Sequence, residues 1–306
     1  MSYLLKCVVY LSLAVLEFSS CHSTMPEMTE EEPEETPDTV IFSERIAAGT
    51  LNNKSIDEAS GMAMSIQHDS AFWTHNDSGD EARLFLISTT ARYQLTCTLS
   101  GATNRDWEDI AVAKDPVNAK SRIYIGDIGD NSAIYGYGYI YILNEPAITA
   151  DPDITVSDYD KITFRYEDGK RDAESLMVDP VNGDIYIVSK REANVGLYQI
   201  KYPYSFTDTT IAKKVLTMPY TQIVGGDISA DGSEILLKNY DTIWYWPRKN
   251  GQSVAEALNE KPTEPPYTQE PQGEAICWSR DSKAFYTMSE ASLLNITPVL
   301  YRYEKK

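Results

Sequence analysis

Five short segments of similar character decide the fold. They are residues 60–65 (SGMAMS), 108–113 (EDIAVA), 174–179 (ESLMVD), 226–231 (GDISAD) and 274–279 (EAICWS). Their starts lie 48, 66, 52 and 48 residues apart, and each is followed by short alternating stretches rich in Tyr, Ile and Val. A repeat of about 50 residues with several short strands is typical of a β-propeller, whose units line a central channel with their first strands. The pattern therefore predicts an all-β propeller.

The number of blades follows from how the two ends of the domain fit together. Most repeats supply four predicted strands, but the last supplies only three, at 274–278, 283–288 and 299–304. Residues 40–50 are strand-like and can provide the missing outer strand. Such a closure leaves no long exposed edges. We predict a five-bladed propeller closed by the N-terminal strand; the alternative is six blades, with the extra one in 247–272 or in the insertions of the second repeat.

The start of the chain is typical of an exported protein. Residues 1–20 contain one basic residue and a ten-residue apolar run, a signal-peptide pattern too short to span a membrane as a mature helix. Cys21, which follows two serines, resembles the lipidated cysteine of bacterial lipoproteins, although Phe18 replaces the usual Leu. The resemblance implies a lipid anchor on Cys21 and attachment to the outer membrane. The alternative is an ordinary secreted protein that is cut nearby.

An acidic tether is predicted between this signal and the propeller domain. Residues 22–38 contain seven acidic residues, three prolines and no Lys or Arg, so they cannot bury enough apolar surface to fold. We assign residues 21–39 to a disordered tether and residues 40–306 to the propeller. The tether resembles the acidic spacers of some lipoproteins exposed at the cell surface; a plain solvated linker is the alternative.

The charge of the chain restricts its partners. The formal net charge is −19. This excess of carboxylates argues against nucleic acid, which needs Lys and Arg to neutralise its phosphates. It is compatible with a divalent cation or with neutral or cationic ligands. We expect a monomer.

One position of the repeat is predicted to form a metal site. The residues that open the predicted inner strands are Ser60, Glu108, Glu174, Gly226 and Glu274. Because inner strands lie side by side around the axis, their carboxylates would meet and repel each other unless a cation lay between them. A set of oxygen ligands without His or Cys favours Ca²⁺ over zinc. We predict a Ca²⁺ site of Ser60, Glu108, Glu174 and Glu274, with Asp227 reaching in where Gly226 lacks a side chain.

The alternative is that these acids cap strand starts or pair with basic residues. The cations available for pairing are Arg105, Lys190, Arg191 and Lys238.

The acidic positions resemble those of two groups of calcium-dependent propellers. Acids that open inner strands beside Gly or Ser resemble the pattern of calcium-activated nucleotidases, which are five-bladed and hold calcium in the central channel. Residues 272–276 (QGEAI) resemble a motif of phytase-like propellers, which are six-bladed and depend on calcium. The resemblance covers residues 58–306 through a few residues of each blade and includes no full catalytic signature. It implies a calcium-dependent phosphoesterase as one candidate activity.

Two loops carry more functional groups than turns require. They are residues 74–80 (THNDSGD) and 126–131 (GDIGDN), and residues 106–111 (DWEDIA) lie between them. This set resembles one that recurs in secreted bacterial propellers without a clear assigned activity. Its candidate ligand-binding residues are Asn76, Asp77, Asp106, Asp109, Asp127, Asp130 and Asn131. His75 could accept a proton beside Asp77 or Asp127. The alternative is turn chemistry, because Asp, Asn and Gly are common in turns.

Alternating aromatic residues leave a further choice. Tyr135, Tyr137, Tyr139 and Tyr141 would share one face if their strand began early enough, and Trp244 and Trp246 would share another. Exposed, these side chains would stack on sugars; buried between blades, they would be ordinary packing, which we favour.

The sequence supports a binding function more than a catalytic one. It contains no GxSxG, HExxH, Walker or GxGxxG motif. We therefore predict an envelope-anchored propeller that binds a glycan or an envelope protein with a cation in its channel. The alternatives are a calcium-dependent phosphoesterase and a purely structural scaffold.

Overall fold

The computed structural model describes residues 40–68, 70–148, 150–291 and 296–306. The predicted signal peptide, Cys21 and the tether lie outside the described residues. Val40–Lys306 belong to one structural unit. Among the residues described, no helix is long and apolar enough to cross a membrane.

Short strands are the main regular elements of this unit, and several of them are buried along their whole length. In chain order they are β1 (Ile46–Thr50), β2 (Ala59–Met64), β3 (Ala71–Asn76), β4 (Arg83–Ser88), β5 (Tyr93–Leu99), β6 (Trp107–Lys114), β7 (Ser121–Asp127), β8 (Gly138–Asn144), β9 (Asp153–Val156), β10 (Tyr159–Tyr166), β11 (Ala173–Val178), β12 (Ile185–Ser189), β13 (Val195–Ile200), β14 (Thr210–Met218), β15 (Gly225–Ile228), β16 (Glu234–Lys238), β17 (Ile243–Pro247), β18 (Gly273–Trp278), β19 (Ala284–Ser289) and β20 (Val299–Glu304). One short helix, α1 (Val254–Leu258), follows β17.

The first strands of the five repeats form a closed cycle. β2 contacts β6, β6 contacts β11, β11 contacts β15, β15 contacts β18, and β18 returns to β2. From each of these inner strands the chain runs outward as an antiparallel meander, as in β2-β3-β4-β5 and β11-β12-β13-β14. This is the architecture of a β-propeller, and it brings the starts of the inner strands to one end of the channel.

The N-terminal strand completes the last sheet. β1 pairs antiparallel with β20, so the sheet order is β1-β20-β19-β18. The Ser43 amide also donates a hydrogen bond to the Glu304 carbonyl, at 2.8 Å. Both ends of the described unit therefore meet in one sheet.

Three outer features depart from a simple row of four-stranded sheets. β9 adds to the first repeat by pairing in parallel with β5, although it lies in the second repeat of the chain. β10 pairs in parallel with β14, which joins the second and third repeats into one eight-stranded sheet. The fourth repeat has a three-stranded sheet, followed by α1 and an isolated bridge between Tyr245 and Thr263.

Five buried apolar clusters fill the spaces between neighbouring repeats. In one of them, Trp73 and Leu84 from the first repeat pack with Ile110 from the second. Trp244 and Trp246 lie in the cluster between the third and fourth repeats and are 8% and 0% exposed, so these two are packing residues. Burial of such a large side chain stabilises the fold by roughly 1.5–3 kcal/mol.

Candidate functional site

Three inner strands have a β-bulge at the position where the repeat has a glutamate. The register between β6 and β7 shifts between Trp107 and Asp109, which places the bulge at Glu108. Equivalent shifts occur at Glu174 in β11 and at Glu274 in β18, and a longer one spans residues 60 and 61 in β2. A bulge re-aims the side chain of its extra residue. β15 pairs without a shift, and its residue at this position is Gly226.

The three glutamates line one pocket at the mouth of the channel. The pocket has a volume of about 380 Å³, and Glu108, Glu174 and Glu274 all line it. Ser60 lies beside them, since its hydroxyl donates hydrogen bonds to the Glu108 carbonyl (2.6 Å) and to Glu274 Oε2 (3.3 Å). Burial, and then the charge of Glu174, raises the pKa of Glu108 well above its usual value. The sequence correctly predicted that these distant carboxylates meet.

One half of the mouth is compensated by a buried lysine. Lys190 Nζ forms an ion pair with Glu174 Oε1 and lies 4.0 Å from Glu274 Oε1. It also donates a hydrogen bond to Tyr240 Oη (3.1 Å), which in turn donates to Glu274 Oε1 (2.5 Å). The alternative interpretation, in which the acids pair with a basic residue, is therefore right for Glu174. Its other oxygen, Oε2, is buried and has no hydrogen-bond partner among the described residues.

The other half of the mouth has no ion pair of this kind among the described residues. Asp77, Asp106 and Glu108 each present a carboxylate oxygen within 4.8 Å of the other two, and none of the ion pairs in the described part of the chain involves them. A second group of the same size contains Glu108, Asp172 and Glu174. Burial raises the pKa of Asp77 to about 7. Glu108 belongs to both groups, so the two groups of carboxylates meet at this residue.

Gly129 gives these carboxylates the space that they occupy. A Cβ atom on Gly129 would lie 2.1 Å from Glu108 Oε1 and 2.5 Å from Asp106 Oδ2. The Gly129 amide also donates a hydrogen bond to the Asp106 carbonyl, at 3.2 Å. The mouth therefore brings together three sequence segments. Asp77 comes from residues 74–80, Asp106 and Glu108 come from residues 106–111, and Gly129 comes from residues 126–131.

Other residues of the two loops hold the loops in place. Asn76 accepts a hydrogen bond from the Glu58 amide and donates to Ser55 and Asp80. Asp127 lies 3.4 Å from Arg105 and accepts from the Asp106 amide, and burial raises its pKa to about 6. These contacts hold the backbone of the two loops in place, which agrees with the alternative that Asn76 and Asp127 serve the turns.

Asp130 and Asn131 connect the second loop to the third repeat. The Asp130 side chain accepts hydrogen bonds from the amides of residues 134 and 135, and its own amide donates to Asp172 (2.8 Å). Asn131 lines the mouth and accepts a hydrogen bond from Arg191, which also pairs with Asp172 (2.5 Å). Of the two, only Asn131 faces the pocket.

Asp109 and Asp227 lie outside the cluster at the mouth. Asp109 accepts a hydrogen bond from the Leu176 amide (2.9 Å), and Asp227 accepts one from the Trp278 amide (2.8 Å), so each ties its inner strand to the next. Asp227 also lines a separate pocket with residues from the far ends of the inner strands. The expectation that Asp227 replaces the missing side chain of Gly226 is corrected, because successive side chains of a strand point to opposite faces.

His75 is placed away from the acidic cluster. Its ring is 0% exposed, packs edge-on against Trp107 with centroids 5.7 Å apart, and has Nδ1 3.0 Å from the Asn76 carbonyl. Burial lowers its pKa to about 4. None of the contacts found for it among the described residues is with Asp77 or Asp127. The proposed role of His75 as proton acceptor beside them does not fit this packing.

Several residues of the mouth were not predicted as site residues. Lys190 and Glu290 directly follow β12 and β19, as Asp77 follows β3, so they occupy one position of the repeat. Burial raises the pKa of Glu290 to about 8. The repeat itself could have predicted these residues, because each one directly follows the second strand of its repeat. Tyr240 lies in the turn between β16 and β17 and could not be found in that way.

Comparisons with known proteins give a fold resemblance alone. No family model matches the chain, and no curated protein matches it. Among solved structures, the chain is similar to the PQQ-bound form of an aldose sugar dehydrogenase from Streptomyces coelicolor, with 10% sequence identity and a TM-score of 0.48. The match covers 88% of this chain and 99% of that one.

Proposed function

We propose that the protein is a five-bladed propeller that binds Ca²⁺ at one mouth of its channel and uses the ion to bind a hydroxyl-rich ligand such as a glycan. Five blades are supported by the cycle of five inner strands and by the five apolar clusters between repeats.

The environment of Glu108 carries the proposal. Its side chain is 3% exposed and is grouped with the carboxylates of Asp77, Asp106 and Glu174, and Oε2 of Glu174 is buried without a hydrogen-bond partner among the described residues. A buried carboxylate without a partner is costly, and cations relieve that cost. Glu108 also takes part in both groups of three carboxylates, so an ion beside it would reduce the repulsion within both.

The ligand set fits calcium. All the candidate ligand atoms are carboxylate oxygens, and within each group they lie no more than 4.8 Å apart, so one ion with Ca–O lengths of about 2.3–2.6 Å could reach all three. Asp77, Asp106, Glu108 and Glu174 would hold the ion. Calcium takes six to eight oxygen ligands, so positions would stay open for hydroxyl groups of a ligand.

Binding is favoured over phosphoester hydrolysis by the state of the basic residues at the mouth. A phosphoesterase needs cationic groups that are free to hold phosphate. Lys190 is engaged with Glu174 and Tyr240, and Arg191 with Asp172 and Asn131. Both basic side chains that line the mouth are therefore already paired.

The location of the protein is part of the proposal. We propose that residues 1–20 direct export, that Cys21 carries a lipid anchor, and that the acidic tether holds a monomeric propeller at the outer membrane. The partner would then be an envelope protein or a glycan, and nucleic acid is disfavoured by the net charge of −19. Metabolic labelling with a fatty acid, compared between the parent and Cys21→Ala, tests the anchor.

Calcium titration of the parent and of Glu108→Gln tests the metal site. Calcium at one hundred times its Kd should stabilise the parent by about 2.7 kcal/mol, and melting and calorimetry should both report this. Glu108→Gln should abolish the calcium response. In chelator it should melt above the parent, because one of several repelling carboxylates is gone. The double change Glu108→Gln/Glu174→Gln should also abolish the calcium response, but in chelator it should melt below Glu108→Gln, because it leaves the buried Lys190 without its ion-pair partner.

Asp158→Asn is the matched control, because Asp158 is exposed and far from the mouth in the repeat. It should keep the full calcium response. A parent protein whose melting is indifferent to millimolar calcium would rule out the metal site. Chelator-sensitive turnover of phosphomonoesters, nucleoside diphosphates or inositol phosphates would instead indicate the phosphoesterase.

A further inference from the structure

A loop beside the channel mouth exposes two tyrosines. The aromatic alternation from Tyr135 to Tyr141 predicted a single face, but β8 begins only at Gly138. Tyr141 is accordingly 3% exposed, whereas Tyr135 and Tyr137 lie in the preceding loop and are 40% and 49% exposed. The guanidinium of Arg105 lies 4.2 Å from the ring centroid of Tyr135 and holds that ring in place.

These tyrosines border a basic cleft. The cleft has a volume of about 160 Å³. Its lining includes four basic residues and the two exposed tyrosines, namely Arg105, Arg165, Lys170, Arg171, Tyr135 and Tyr137. One acid, Asp130, also lines it, but its carboxylate accepts hydrogen bonds from two loop amides. A local excess of positive charge on a chain of net charge −19 favours an anionic ligand.

Two of the four cations are free to bind such a ligand. Arg105 pairs with Asp127, and Arg171 pairs with Asp168 and Glu192. Lys170 Nζ donates one hydrogen bond, to the Ile134 carbonyl at 2.7 Å, and has further donors. Arg165 is exposed, and within the described part of the chain it has no ion pair or side-chain hydrogen bond.

We propose that this cleft binds a sugar that carries a carboxylate, that is, one hexuronic acid unit. Arg165 would bind the carboxylate through two parallel hydrogen bonds, with Lys170 beside it. The apolar face of the sugar ring would stack on the exposed tyrosines. The volume corresponds to about five water molecules, at ~30 Å³ each, which suits one ring rather than a chain. The inference goes beyond the calcium site, since none of the six cleft residues belongs to the carboxylate groups.

Calorimetric titration of the whole protein with glucuronate, glucose and inorganic phosphate, all in chelator, tests the proposal. Glucuronate should bind and glucose should not. Arg165→Ala should weaken glucuronate about tenfold, as expected for a lost charged hydrogen bond. Tyr137→Ala should weaken glucuronate without weakening phosphate. Arg92→Ala, which removes an exposed arginine of the β4–β5 turn, should change neither, and all variants should melt like the parent.

Several results would overturn the proposal. Equal binding of glucose and glucuronate would do so, as would the absence of glucuronate binding or an Arg165→Ala variant that binds like the parent. Phosphate that binds as tightly as glucuronate, with no effect of Tyr137→Ala, would indicate a bare anion site. Binding that requires calcium and disappears in Glu108→Gln would place the sugar at the mouth; it would reject this cleft and still support the proposed function.

Discussion

At the scale of single residues, the missing side chain of Gly129 leaves the space in which the carboxylates of Asp106 and Glu108 lie close together. An added Cβ would lie 2.1 Å from Glu108 Oε1, so Gly129→Ala must displace that side chain. We expect at least a tenfold loss of calcium affinity and a free energy of unfolding lower by about 1–3 kcal/mol. Gly136→Ala in the same loop is the control, because nothing lies within 4 Å of its added atom. Calorimetric titration with calcium and melting check both effects; unchanged affinity in Gly129→Ala would contradict the assignment of Glu108.

Asp227 should make stability depend on pH. Burial raises its pKa from 3.8 in the unfolded chain to about 7, so the folded protein binds more protons between these values. Its contribution to the free energy of unfolding therefore falls as pH rises from about 4 to 7, by at most about 1.4 kcal/mol per unit, and is flat above 7. Asp227→Asn keeps an acceptor for the Trp278 amide and removes the charge.

The variant should accordingly gain stability over the parent at pH 8 and gain little at pH 4. Chemical denaturation at the two pH values measures the difference. Asp208→Asn, on an exposed turn, controls for the general effect of net charge. The same gain at both pH values would show that Asp227 titrates normally in the folded protein.

At the scale of the elements, the strands were predictable and the bulges were not. Alternation and turn residues placed the starts of the inner strands and the three strands of the last repeat within about two residues, because these signals are local. A bulge depends on the register with a partner strand, which no local pattern contains. The repeat therefore predicted that Glu108, Glu174 and Glu274 converge, but it failed at Asp227, one residue along an unbulged strand. Likewise β9 was missed because its partner, β5, lies in another repeat.

At the scale of the whole molecule, closure of the ring depends on residues before the first repeat. Phe42 is 3% exposed, and its ring lies 5.4 Å from Tyr245 and 5.2 Å from Phe285, in the cluster between the fourth and fifth repeats. We expect Phe42→Ala to lower the free energy of unfolding by about 3–5 kcal/mol.

The neighbouring change Ile41→Ala is the control, because Ile41 is 57% exposed. Denaturant unfolding followed by tryptophan fluorescence should show a large loss for Phe42→Ala and almost none for Ile41→Ala. Equal losses would mean that the N-terminal segment does not hold the last sheet to its neighbours.

The parallel pairing of β10 with β14 affects how the protein meets other copies of itself. The outermost strand of a sheet normally offers a row of free amide and carbonyl groups to any passing chain, and that is a route to aggregation. Here β10 and β14, the outermost strands of two neighbouring sheets, pair with each other, and β9 pairs with β5 in the same way. The molecule thereby presents fewer places where a neighbouring copy could add a strand, which favours dispersed molecules at high protein concentration.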